Sequence, residues 1–260
     1  MFHWPGKTIP ISLFLRGRGS PNTRSERTVN LSVLPFSAVL FDLDNTLLDR
    51  EAGFELFCRE LYRTNPVMSQ SHSEEDAIAL LHSWDQGGLA STPLVWETAI
   101  NQWPGIFKDI DQAMIVFLEM FPALLVLDPR TRNMLEDFSD RGVRTGIVTN
   151  GGTPMQTAKI EESGLVALVD SYMISGSLGV RKPDPVIFQA ALESIGAVAG
   201  RTLFVGDNAE QDIVGASDVG MKGAWMSLSR PWPVEGTEPD FVLENVWDVR
   251  QLVFGEGATE

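Results

Sequence analysis

Cysteine is nearly absent from this 260-residue chain, in which Cys58 stands alone. A disulfide framework and any site built from several thiolates are therefore excluded. Basic residues are also scarce, with 20 Lys and Arg against 35 Asp and Glu and a net charge of −15 at pH 7. A general binder of nucleic acid or of anionic membranes needs a basic field to meet phosphates, so neither partner is expected. A small anion held by one local cation stays compatible with that balance. No apolar run approaches the ~20 residues that span a bilayer. What is present, 43% hydrophobic residues, is enough for a packed core, and the class expected is a soluble globular protein of the cytoplasm.

The few cations are unevenly spread. Residues 1–34 carry Lys7, Arg16, Arg18, Arg24 and Arg27 against Glu26, so this stretch is +4 and the remainder −19. Its acid-poor composition is shared by some targeting peptides. However, Pro10 breaks the apolar piece at 9–15, and no small-residue cleavage site follows. We read residues 1–34 as a basic extension outside the fold and 254–260 as a tail.

From residue 37 onward the pattern is regular. Short apolar runs at 37–42, 143–149, 169–174, 202–207, 223–226 and 241–243 read as buried strands. Helical spacings at 129–141, 153–163, 185–196 and 209–219 fall between most of them. Strand and helix in alternation predict an α/β fold, a doubly wound parallel sheet of Rossmann type. Residues 50–127 interrupt the alternation. Phe54, Leu56, Phe57, Leu61 and Tyr62 recur at helical spacing, followed by Ala77, Ile78, Leu80 and Leu81 and a further stretch near 111–121. This segment is expected to be a small helical domain inserted after the first strand, with the α/β core formed by 35–49 and 128–253. Its tryptophans at 84, 96 and 103 are expected to serve packing.

In open parallel sheets ligands bind beyond the carboxyl ends of the strands. The first strand delivers Asp42 and Asp44 there, the second Thr149 and Asn150, and the fourth Asp207 with Asp212 just beyond. Lys182 follows the third. Four carboxylates converging on one rim repel one another unless a cation neutralises them. Hard oxygen donors without cysteine or histidine favour Mg²⁺. Asp-x-Asp-x-Thr alone is a weak signal, since aspartates also cap helices and make turns. Its place at the end of an apolar strand, with three more polar clusters in order, makes it specific.

The set resembles the four motifs of the haloacid dehalogenase superfamily of phosphotransferases. Residues 41–47, Phe-Asp-Leu-Asp-Asn-Thr-Leu, resemble its first motif; Thr149-Asn150 the second; Lys182 the third; and residues 206–212, from Gly206 to Asp212, the fourth. The helical insertion is similar to that superfamily's small cap. The resemblance covers residues 37 to about 253. It implies a nucleophilic Asp42 that forms an aspartyl-phosphate, and an Asp44 that acts first as general acid and then as base. It further implies Mg²⁺ held by the Asp42 side chain, the Asp44 carbonyl and Asp207, with Asp212 supporting the metal shell. Thr149 and Asn150 would hold the transferring oxygens, and Lys182 would neutralise charge on the intermediate. The partner implied is a small phosphorylated substrate.

The second aspartate sorts the chemistry. Dehalogenases and phosphonate-cleaving relatives lack a carboxylate at the position of Asp44; for a haloacid the acid would be wasted, since a halide leaves without a proton. A Mg²⁺-dependent phosphatase acting on a sugar phosphate, nucleotide or similar monoester is therefore expected. A phosphomutase and a non-catalytic regulatory protein on the same fold are the alternatives. Asn45 stands where many relatives have glycine. His72 and His82 are expected to be solvated or turn residues, Cys58 a small buried hydrophobe, and Arg50 a surface residue, with reach to a substrate anion at the hinge as its alternative. Nothing in the pattern speaks to oligomeric state.

Overall fold

A computed structural model describes residues 35–255; the basic extension at 1–34 and most of the tail lie outside the described residues. The six strands are β1 (Ala38–Phe41), β2 (Arg144–Thr149), β3 (Ser171–Ile174), β4 (Thr202–Gly206), β5 (Lys222–Met226) and β6 (Phe241–Leu243). They form one sheet in the order β3-β2-β1-β4-β5-β6. Every pairing is parallel. Each expected strand is present within a residue or two of its expected limits.

The central strand is covered on both faces, and the period of two decides which residue meets which layer. Val39 and Phe41 point into a core shared with Leu203, Val205 and Ile147. Ala38 and Leu40 point the other way, toward Phe188 and Ile195 of the helix Pro185–Ile195. Strand order reverses about β1, whose neighbours β2 and β4 belong to opposite arms of the sheet. Such a reversal leaves a crevice at the carboxyl ends of the central strands, which is where this topology places ligands.

Between β1 and the helix Pro129–Asp140 runs a segment with no strand among the described residues. Its main helices are Arg50–Thr64, Glu74–Asp85, Thr92–Gln102 and Ile110–Met120. Asp49, Ser73 and Asp109 each cap a helix by accepting a backbone N–H two or three residues into it. The helices close around Phe54, Phe57, Trp96, Phe117 and Phe121, all buried and in ring contact. Trp103 is likewise buried and donates its indole N–H to His72 at 3.2 Å. The last turns of the segment pack on the helix Thr153–Glu162, next to the sheet's carboxyl edge. No single helix among the described residues is long and apolar enough to cross a membrane.

Candidate active site

The chain leaves β1 through a tight turn. The carbonyl of Leu43 accepts from both Leu47 and Leu48, and Asn45 donates its N–H to the Leu48 carbonyl at 2.7 Å. Asn45 sits at φ 58°, a left-handed conformation that asparagine tolerates better than most side chains. Its side-chain oxygen accepts the backbone N–H of Glu51 at 3.2 Å, linking the turn to the first inserted helix. Asp42 is fixed at the other end, where its N–H donates to the Val205 carbonyl of β4 at 2.8 Å.

Lys182 organises the carboxylates. Its Nζ lies 2.6 Å from Asp42 Oδ1 and 2.7 Å from Asp212 Oδ1, and all three residues are buried. Burial works against charge on Lys182, but Asp212 and Asp42 outweigh it and hold the ammonium above the usual lysine pKa. For Asp42 burial dominates: the carboxyl is raised to about 7, with Lys182 opposing and the Asp212 and Asp44 charges adding to the rise. Asp212 is raised for the same reason.

Asp207 completes the cluster. One carboxylate oxygen from each of Asp42, Asp207 and Asp212 lies within 4.8 Å of the others. Burial and the Asp42 charge lift Asp207 to about 6, while Arg230, 3.2 Å away, pulls it down. The Asp207 carbonyl is pinned from outside by the Trp225 indole at 3.0 Å and by Arg230 at 2.9 Å. Asp212 lies in a wide π turn at 209–214. Its Oδ2 accepts the Asn208 N–H at 2.9 Å, while its Oδ1 is the one ion-paired with Lys182. A Cβ on Gly206 would collide with that carboxyl, which explains the glycine before Asp207. Three hard oxygen donors without a thiolate or imidazole among them suit a small divalent ion such as Mg²⁺.

The remaining expected residues stand on the same edge. Thr149 is buried at the end of β2. Asn150 is fully occupied: its amide donates to the Lys182 carbonyl at 3.0 Å and to Gln211 Oε1 at 2.7 Å, and its Oδ1 accepts the Lys182 N–H at 2.8 Å. That side chain therefore tethers the Lys182 loop. Asp44 Oδ1 and Oδ2 lie 2.7 and 2.8 Å from Lys159 Nζ, and Oδ2 also accepts from Gln156 at 3.0 Å. Burial opposes charge on Asp44, yet Lys159 and Arg50 outweigh it and lower its pKa.

Gln156 and Lys159 did not emerge from the motifs. Their signal was present in the helical pattern, since both share an inward face with Ile160, where polar side chains are uncommon. Arg50 corrects an expectation outright. It is 6% exposed and makes a two-pronged pair with Asp85 at 2.7 Å on each arm, between the rings of Phe54 and Phe121. A salt bridge 35 positions apart leaves no trace in local patterning. Cys58 is buried, and its surroundings push the thiol pKa up, as expected for an inert hydrophobe.

Comparison with known proteins agrees with this geometry. The family model for haloacid dehalogenase-like hydrolases matches residues 36–220. The chain is 35% identical over 224 residues to pyrimidine 5'-nucleotidase YjjG of Escherichia coli (strain K12), covering 83% of this chain and 96% of that protein. It is 27% identical to phosphoserine phosphatase of Thermus thermophilus, covering 84% and 98%. Among solved structures, a HAD phosphatase from Thermococcus onnurineus superposes with a TM-score of 0.60 at 28% identity, covering 83% of this chain and 96% of that one. YfnB of Bacillus subtilis, a HAD-hydrolase, shares the fold at a TM-score of 0.68 and 22% identity, covering 84% and 98%. With its motifs, sheet order and family match in agreement, the chain belongs to the haloacid dehalogenase-like hydrolases.

Proposed function

We propose that this protein is a Mg²⁺-dependent phosphatase that hydrolyses a small phosphomonoester through an aspartyl-phosphate on Asp42. The observation that carries the reading is Lys182 lodged between Asp42 and Asp212, with Asp207 beside them, where the strand order reverses. The presence of Asp44 favours an ester over a halide, because an alkoxide leaves far more readily with a proton. The activities printed for relatives, a nucleotidase and a phosphoserine phosphatase, point the same way. The substrate is a soluble sugar phosphate, nucleotide or similar monoester, met in the cytoplasm.

Asp42, the Asp44 carbonyl and Asp207 would hold Mg²⁺, with Asp212 supporting the shell; the bound ion supplies positive charge that offsets the phosphate dianion. In the first transfer an Asp42 oxygen bonds to phosphorus as the ester P–O bond breaks, and Asp44, a carboxylate in the free protein, passes to the departing oxygen a proton taken up with the substrate. In the second, water attacks phosphorus, its proton returns to Asp44, and the Asp42–phosphorus bond breaks to release phosphate. Lys182 neutralises the Asp42 side throughout. The Thr149 hydroxyl holds a transferring oxygen, and Asn150 secures the loop that carries Lys182. The helical insertion acts as a cap that excludes water and admits only small substrates.

Phosphate release from a panel of small phosphomonoesters, with and without Mg²⁺, tests the reading. Metal-dependent release that vanishes in Asp42→Asn is expected. Isomerised substrate without free phosphate would replace the phosphatase with a mutase, and full turnover by Asp42→Asn would end both.

A further inference from the structure

The helix Thr153–Glu162 brings to the sheet's carboxyl edge two side chains that the transfer scheme leaves without a task. Gln156 and Lys159 lie about one turn apart on its inward face and are 2% and 3% exposed. Gln156 places one amide hydrogen on Thr149 Oγ1 at 2.6 Å and the other on Asp44 Oδ2 at 3.0 Å. A carboxylate only accepts, so the Asp44 contact itself fixes which way the amide faces. Lys159 reaches both Asp44 oxygens, with the Phe121 ring of the insertion 5.2 Å from its Nζ on another side. One helix thus directs three donor contacts at Asp44.

Stability alone does not call for this arrangement. A buried ammonium loses its hydration, and an apolar side chain at the same place is often neutral or stabilising by comparison. The geometry instead suits a carboxylate that must stay in one place: both oxygens of Asp44 face donors, and the group is held still. Thr149, by accepting from Gln156, keeps its own hydroxyl hydrogen for a phosphoryl oxygen. Gly151 belongs to the same device, since a Cβ there would meet Gln156 Cγ at 2.8 Å.

We propose that Lys159 and Gln156 are positioning residues for the second transfer, holding Asp44 where it takes the proton of the attacking water. The proposal rests on the phosphatase reading. Water's oxygen forms a bond to phosphorus, its proton goes to Asp44, and the phosphorus–Asp42 bond breaks. Misplacing Asp44 slows that step. It spares transfer from an aryl phosphate to Asp42, because a nitrophenolate leaves without a proton.

The test is stopped-flow hydrolysis of p-nitrophenyl phosphate with Mg²⁺ by the full chain, as wild type, Lys159→Met, Lys159→Arg, Gln156→Leu and Asp42→Asn. In Lys159→Met the expected result is a burst approaching one nitrophenolate per site, then a steady rate lower than wild type by on the order of 100-fold. kcat/KM, which reports the first transfer, stays within about threefold of wild type. Lys159→Arg restores most of the steady rate, and Gln156→Leu shows a weaker form of the same split. Should Lys159→Met prove poorly folded, the Gln156→Leu split decides. A parallel fall of kcat and kcat/KM without a burst, or an unchanged rate, overturns the proposal. Turnover that does not depend on Asp42 overturns the phosphatase reading and this proposal with it, a result distinct from the other two.

Discussion

In the helical insertion Phe57 lies 5.2 Å from Phe117 and 5.6 Å from Trp96, ring against ring. At the sheet's carboxyl edge, about as deeply buried, Lys182 lies between two carboxylates at 2.6 and 2.7 Å. Both regions exclude water, but they respond differently to loss. Apolar contact is non-directional, so removing one ring leaves a cavity whose cost depends on how far the neighbours relax. A buried charge has no such latitude, because removing its partner leaves an ion without solvent or counter-charge. The insertion is therefore built on contacts that tolerate adjustment, and the edge on groups held in fixed electrostatic relation.

The sharpest way to separate the two regions is at Asp42. Asp42→Asn is expected to lower phosphate release by at least about 10³-fold while leaving thermal stability near or above wild type, since it removes a charge from a crowded carboxylate cluster. Lys182→Met breaks the edge itself. Loss of activity is expected together with about 3–5 kcal/mol of stability by denaturant titration, because Asp42 and Asp212 lose their common partner. Phe117→Ala probes the insertion: a loss of about 3–4 kcal/mol is expected, with Mg²⁺ affinity by calorimetry unchanged. Equal effects of the last two on metal affinity would erase the distinction between the regions.

The smallest expected effect is a pH dependence of the metal-free protein. Asp207 is raised from 3.8 to about 6, so the fold favours its protonated form. That contribution is fully present below about pH 4 and is lost as pH rises toward 6. Asp207→Asn mimics the protonated side chain. Its stability advantage over wild type should therefore grow between pH 4 and 6, by on the order of 2 kcal/mol, and level off above. Denaturant titrations at three pH values would check it, and Mg²⁺ should cancel the advantage.

Much of this was legible in the chain before folding. The strands announced themselves as apolar runs ending in polar residues, and β1 and β4 are buried along their whole length. Asp42, Asp44, Thr149, Lys182, Asp207 and Asp212 were singled out by standing at strand ends, where the fold brings them to one edge. The tether made by the Asn150 side chain was not legible, because its partners Lys182 and Gln211 lie 32 and 61 positions away. Arg50 looked like a surface residue because its counter-charge, Asp85, comes from a different helix.

The sequence by itself determined the kind and order of the elements and which side chains end the strands. Hydrophobic period and turn chemistry act within a few residues, so they can be read locally. Only the tertiary structure decided which polar groups lose water together. Lys182 meets Asp42 across 140 positions and Lys159 meets Asp44 across 115. Burial of those charges depends on how two regions of the chain pack, and local pattern carries no record of that packing.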